Sequence, residues 1–164
     1  MKEDASGIGG AEMSAWRIGG WYLAMSAPLH VVWEFAHMPL YAVWHTGTPL
    51  EIVYNGLHCA IGDLMIAASS LLLAVVLIGR EQWPSDRWWA VVVTAVTLGV
   101  GYTIFSEWHN VFVLRSWAYG NLMPRLPGIG IGLSPLLQWL VIPPLAFWLT
   151  YRRVHIGVGK GPDR

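Results

Sequence analysis

The stretch HVVWEFAHMPLYAVWH, residues 30–45, decides how this chain is read. It is almost wholly apolar and aromatic, yet it carries a carboxylate, Glu34, between two imidazoles, His30 and His37. A helix on the surface of a soluble protein would set such groups among other charges on a wet face. Here they stand alone, so their partners must come from elsewhere in the chain.

Composition says what surrounds them. Of the 164 residues, 55% are hydrophobic and 12% charged, and eleven are tryptophan. Soluble domains carry a charged fraction about twice as large. Zero net charge gives no basis for a nucleic-acid partner. The lone Cys59 excludes an internal disulfide. Glu3 and Asp4 replace the basic opening of a cleaved leader, so the N-terminus is expected to belong to the mature protein.

Charge is also unevenly placed. Leaving histidine aside, Glu34 is the sole charge between Ile18 and Leu50, and Asp63 the sole charge between Ile52 and Gly79. Trp88 to Phe105 and Leu126 to Tyr151 have none. A helix needs about 20 apolar residues to cross the hydrocarbon core, and each run is long enough. Backbone groups in lipid must bond within their own segment, so helices are expected rather than strands. The fold class expected is all-α: one domain, an integral membrane four-helix bundle. Its helices would run over about 16–42, 52–79, 88–112 and 131–151, with an amphipathic outer loop over 113–130.

Lysine and arginine give the orientation. Eight of the ten fall in the N-terminal segment (Lys2, Arg17), the second loop (Arg80, Arg87) and the tail (Arg152, Arg153, Lys160, Arg164). The opposite side has only Arg115 and Arg125. The positive-inside bias then puts both termini in the cytoplasm of a multi-pass protein of the plasma (inner) membrane. Trp16, Trp21, Trp44, Trp83, Trp88, Trp89, Trp108 and Trp148 fall near the expected helix ends, where amphipathic rings favour the headgroup level.

At a rise of about 1.5 Å per residue, Glu34 and His37 lie roughly 15 and 10 Å below the outer boundary. His58 follows one to two turns into the second helix, Asp63 sits near the midplane, and Glu107 and His109 stand at the outer rim. No ionisable group falls in the inner half. His30, Glu34 and His37 share one face of the first helix, and Asn55, Cys59 and Asp63 form a stripe flanked by His58. Tyr102, Ser106 and His109 line the third helix beside Thr103, Glu107 and Asn110, and the fourth offers Ser134 and Gln138. A charge inside a span costs about 2.5–3.5 kcal/mol and normally faces a bundle interior or a wet cavity. An outward-facing pocket lined by Glu34, His37, His58, Asp63 and Glu107 is therefore expected.

Two functions from different classes suit such a pocket. Glu34 and His37 form a Glu-x-x-His pair whose spacing aims both side chains at one point. With His58, Asp63 and Glu107 they could ligate a divalent metal ion, zinc, iron, manganese or copper. Glu34, Asp63 or Glu107 would then serve as the catalytic base in chemistry on a lipid or quinone-like molecule taken from the bilayer. Glu107 is followed at three residues by Asn110, so the second pair of a carboxylate-bridged di-iron site is missing. Haem held by His37, His58 or His109 is the weaker cofactor reading, because these residues lie at different depths. The alternative function is a proton-coupled small transporter or an accessory subunit of a membrane complex, worked by the titration of buried acids beside histidines. Four helices without an inverted repeat make a thin transporter unless the chain forms a homo-oligomer.

Two local features complete the reading. Pro28, Pro39, Pro143 and Pro144 are expected to kink the first and last helices. The loop RSWAYGNLMPRLPGIGIG, residues 115–132, should lie in the outer interface as a linker, or close over the pocket with Arg115 or Arg125 meeting an anionic group.

Overall fold

A computed structural model describes residues 14–79 and 83–156. Lys2, Glu3, Asp4, Arg80, Lys160 and Arg164, used above for orientation and the N-terminus, lie outside them. Among the described residues the fold is all-helical, with five helices: α1 (Ala15–His37), α2 (Val43–Thr46), α3 (Pro49–Ala74), α4 (Trp88–Trp108) and α5 (Leu133–Ile156).

Local chemistry sets the boundaries. α1 ends at His37, short of the expected 42, because Pro39 lacks an N–H and the chain tightens into a single 3₁₀ turn, Met38–Leu40. The connection between the first two expected helices, after 42 and before 52, holds the short α2. α3 starts at Pro49, earlier than expected, under a reciprocal cap. The Thr48 backbone N–H donates to Glu51 Oε2 at 2.7 Å, and the Glu51 N–H donates to Thr48 Oγ1 at 3.3 Å. Wider π-type turns extend α3 through Val75–Gly79 and α4 through His109–Leu114. Arg115, at a positive φ of 56°, then turns the chain into the loop. α1 continues through Pro28 and α5 through Pro143 and Pro144.

Among the described residues, three helical stretches are long and apolar enough to cross a membrane: Pro49–Gly79, Trp88–Leu114 and Leu133–Val154. The sequence reading expects four. α1 has the length, but its two glycines, Ser26, two histidines and Glu34 leave it without a stretch as apolar as those. Only 22% of the most apolar part of α3 is buried within the protein, against 56% for α5. Ile61, Leu72 and Val76 on α3, with Val93 and Phe105 on α4, face outward in a broad apolar surface.

The four long helices close a ring, α1 against α3 and α5, and α4 against the same two. α1 and α5 are antiparallel: Tyr22 stacks on Phe147 with ring centroids 4.1 Å apart, while His37 meets Ser134 at the other end. At the Tyr22 end the interior is apolar, built from Ile18, Ala67, Leu71, Val91, Ala95 and Phe147. Mid-height, α4 approaches α5 so closely that a Cβ on Gly99 would lie 2.2 Å from the Trp139 ring. Beyond Trp139 the interior turns polar.

Candidate functional site

The buried face of α1 recurs at helical spacing as Ile18, Tyr22, Ser26, His30, Glu34 and His37. Four of these are polar or charged and less than 8% exposed. Such a face needs partners for its polar atoms, since an unpaired buried group costs about 1–3 kcal/mol. The neighbouring helices supply most of them.

Glu34 is satisfied on both oxygens. His37 Nε2 stands 3.1 Å from Oε2, and Gln138 Nε2 on α5 donates to Oε1 at 2.9 Å. The other ring nitrogen of His37 meets Ser134 Oγ at 3.0 Å, which fixes the imidazole between α1 and α5. Gln138 Nε2 also lies 2.7 Å from Asp63 Oδ2 on α3 and 3.0 Å from His30 Nδ1. An amide nitrogen carries two hydrogens, and carboxyl oxygens take them in preference to an imidazole. His30 Nδ1 also stands 3.5 Å from Asp63 Oδ2. The carboxyl groups of Glu34 and Asp63 thus meet on one amide nitrogen, that of Gln138.

Glu107 arrives from α4. Its carboxylate Oε2 accepts from the Tyr119 hydroxyl, which in turn accepts the Gly132 N–H at 2.8 Å. Burial, and then the bond to Glu107, hold the Tyr119 phenol well above its usual pKa, so it remains a donor. Tyr119 belongs to the 115–132 loop, which is tied down by Ala42 N–H to Ala118 O at 2.9 Å and Gly120 N–H to Leu40 O at 2.8 Å. With Tyr119, Met123 and Ile131 buried, the loop is a plug packed on the α1–α3 connection rather than a strand of linker. Arg125 lies over the Tyr119 ring, 5.2 Å from its centroid.

Between these groups lies a half-open cavity of about 800 Å³. All five residues expected from the sequence, Glu34, His37, His58, Asp63 and Glu107, line it. Gly62, Met65 and Ser69 of α3 and Gly101, Tyr102 and Ser106 of α4 line it too. Met65, Ser69, Gly101 and Tyr102 are exposed, so the mouth opens sideways between α3 and α4, on the apolar outer face. Those helices touch where they are joined, around Ala67, Leu71, Val91 and Ala95, and leave room at the other end.

The five do not stand alike. Glu34, His37 and Glu107 are buried and Asp63 nearly so, but His58 is exposed at the rim, its ring stacked on Tyr54 with centroids 5.7 Å apart. His109 stacks on Phe105. Among the described residues, no group of three or more His, Cys, Asp or Glu is gathered so that it could hold a metal ion. Residues missed as site members are His30, Ser134, Gln138 and Tyr119. Ser134 and Gln138, one turn apart on a charge-free helix, were the available signal for α5. Nothing local marked Tyr119, which reaches Glu107 only through the path of the loop.

No protein-family model matches the chain, and neither a curated protein nor a solved structure matches it.

Proposed function

We propose that the four long helices form a transmembrane bundle with both termini on the cytoplasmic side of a plasma membrane, and that the cavity takes a lipid-like or quinone-like molecule from the outer half of the bilayer. There it would carry out proton-transfer chemistry. The carrying observation is that carboxyl groups from three helices, each with an imidazole, amide or phenol partner, line one cavity open toward the apolar face.

The roles follow from the contacts. Glu107, in its acid form with Oε2 held by the Tyr119 hydroxyl, is placed to give a proton to a bound molecule. Glu34, oriented by His37 and Gln138, is placed to accept one. One proton given and one taken keeps the total proton count constant, as an isomerisation of an unsaturated amphiphile requires, and the proton passes back from Glu34 to Glu107 before the next turnover. The metal-supported version has less behind it, because Glu34 and His37 spend their facing atoms on each other and His58 turns to Tyr54.

Gly62 and Gly101 allow a clean test, since a Cβ at either would meet nothing within 4 Å. Gly62→Leu should fill the cavity while favouring helix by roughly 0.8 kcal/mol. Native mass spectrometry of protein released from its own membrane should show one organic adduct on the wild type and none on Gly62→Leu. Incubation in D₂O should put deuterium into that adduct with wild type and not with Glu107→Gln. Equal adducts on wild type and Gly62→Leu would end the cavity reading.

A second reading, a proton-linked carrier or accessory subunit, draws on Tyr22 and Ser26. They continue the buried polar stripe below His30 toward the opposite end, and Ser26 Oγ and His30 Nε2 have no hydrogen-bond partner. Proteoliposomes carrying a trapped pH dye would show proton entry that Ser26→Val abolishes. Entry no faster than in protein-free vesicles would dismiss it.

A further inference from the structure

Three carboxyl groups, Glu34, Asp63 and Glu107, face the cavity with two imidazoles, and among the described residues no lysine or arginine does. His37 is engaged by Glu34 and Ser134, and His58 stacks on Tyr54 at the rim. Arg125, the basic residue joined to this region, sits on the Tyr119 ring instead. Four aromatic residues, Tyr41, Tyr102, Trp117 and Trp139, also line it. A Thr103 hydroxyl, on a residue only 6% exposed, also lines the cavity without a hydrogen-bond partner.

We infer that the cavity selects an amphiphile whose polar end is a cation, an ammonium group or a reaction intermediate with carbocation character, on an apolar body. The inference rests on the proposed reading of the cavity as an amphiphile site. A cation about 6 Å from one carboxylate, at an effective dielectric of about 20, gains roughly 100-fold in affinity, and a carboxylate-headed molecule loses as much. Desolvation of the ammonium returns part of this, so at least tenfold is expected to remain. Ring faces add to the preference, because their quadrupole attracts cations and not anions. The absence of lysine and arginine from the lining also separates two sources of ammonium. A phospholipid headgroup would bring a phosphate with no lysine or arginine to meet it, whereas a free lipophilic amine brings none. The selected class is the free amine.

Four probes of one chain length test this: dodecylamine, dodecanol, dodecanoate and dodecylphosphocholine, titrated calorimetrically into the protein in maltoside micelles, with empty micelles subtracted. Dodecylamine should bind at least tenfold tighter than dodecanol, and the other two more weakly than dodecanol. Glu107→Gln and Asp63→Asn should each weaken dodecylamine at least fivefold and leave dodecanol within twofold, so retained alcohol binding reports that the variant is folded. Gly62→Leu should abolish both. Amine and alcohol binding within threefold of each other, both blocked by Gly62→Leu, would overturn charge selection and leave the amphiphile site standing. Tight dodecylphosphocholine binding would shift the class to phospholipid and overturn the inference. No Gly62→Leu-sensitive binding of any probe would remove the site and the inference together.

Discussion

Replacing Gln138 with leucine should show how far one amide holds the interior together. Gln138 is 2% exposed, and its nitrogen stands 2.9 Å from Glu34 on α1 and 2.7 Å from Asp63 on α3. Leucine keeps the approximate volume and removes both donors. In water-soluble proteins two hydrogen bonds to charged groups are worth about 3–6 kcal/mol. Interhelical bonds measured in membranes are weaker, and two of them give about 1–3 kcal/mol. The membrane figure is low because polar groups usually find other partners when one is removed. Here the alternatives are already committed: His37 spans Glu34 and Ser134, and His30 faces Asp63. We therefore expect the upper end, about 3 kcal/mol, or roughly 100-fold in the folding equilibrium. Titration with sodium dodecyl sulfate in mixed micelles, followed by tryptophan fluorescence, measures it. The double variant with Asp63→Asn should destabilise by less than the sum of the singles, as coupled neighbours do. A shift below threefold, or strict additivity, would refute the view of Gln138 as the link among three helices.

Three further outcomes are expected. Gly99→Ala should destabilise by about 1–3 kcal/mol, as overpacking does, because the new methyl meets the Trp139 ring at 2.2 Å; Trp139→Phe in the same chain should recover part of the lost melting temperature. Tyr119→Phe should cut the plug loose from Glu107 and leave the Gly132 N–H without its acceptor, a loss of about 1–3 kcal/mol. Trypsin cleavage at the exposed Arg125 should then speed up at least fivefold, and an unchanged rate would show that the loop is held by other contacts. For orientation, His45→Cys and Asp86→Cys in a Cys59→Ser background should label oppositely in intact cells: the first with a membrane-impermeant maleimide, the second only after lysis. The reverse pattern would invert the topology.

How much of this was legible beforehand varies residue by residue. The all-helical architecture followed from apolar runs too long for strands and too poor in charge for a wet surface. Glu34, His37, Asp63 and Glu107 were visible because an ionisable group in an apolar run costs free energy and so stands out. His58 stood out for the same reason, but spacing does not say which side of a helix meets a neighbour, and the structure leaves it at the rim. Tyr22 and Ser26 went unread because a hydroxyl costs little enough to pass as filler. Their place on the buried face of α1 puts two hydroxyls into the otherwise apolar Tyr22 end, which a search for charges alone does not find.

The sequence by itself determined that the long apolar segments are helical and that three acids and several histidines would need partners; local chemistry at Pro39 and Thr48 also sets the ends of α1 at His37 and α3 at Pro49, which the reading placed at 42 and 52. These are local matters of propensity, capping and transfer cost, carried by neighbouring residues. Only the tertiary structure decided who those partners are. Gln138 meets Asp63 from 75 positions away and His37 meets Ser134 from 97. Such contacts depend on how helices rotate and splay against one another, and Gly99 against Trp139 sets that for α4 and α5. The same splay, with α3 and α4 packed at one end and parted at the other, makes a cavity out of what the chain alone presents as scattered polar residues.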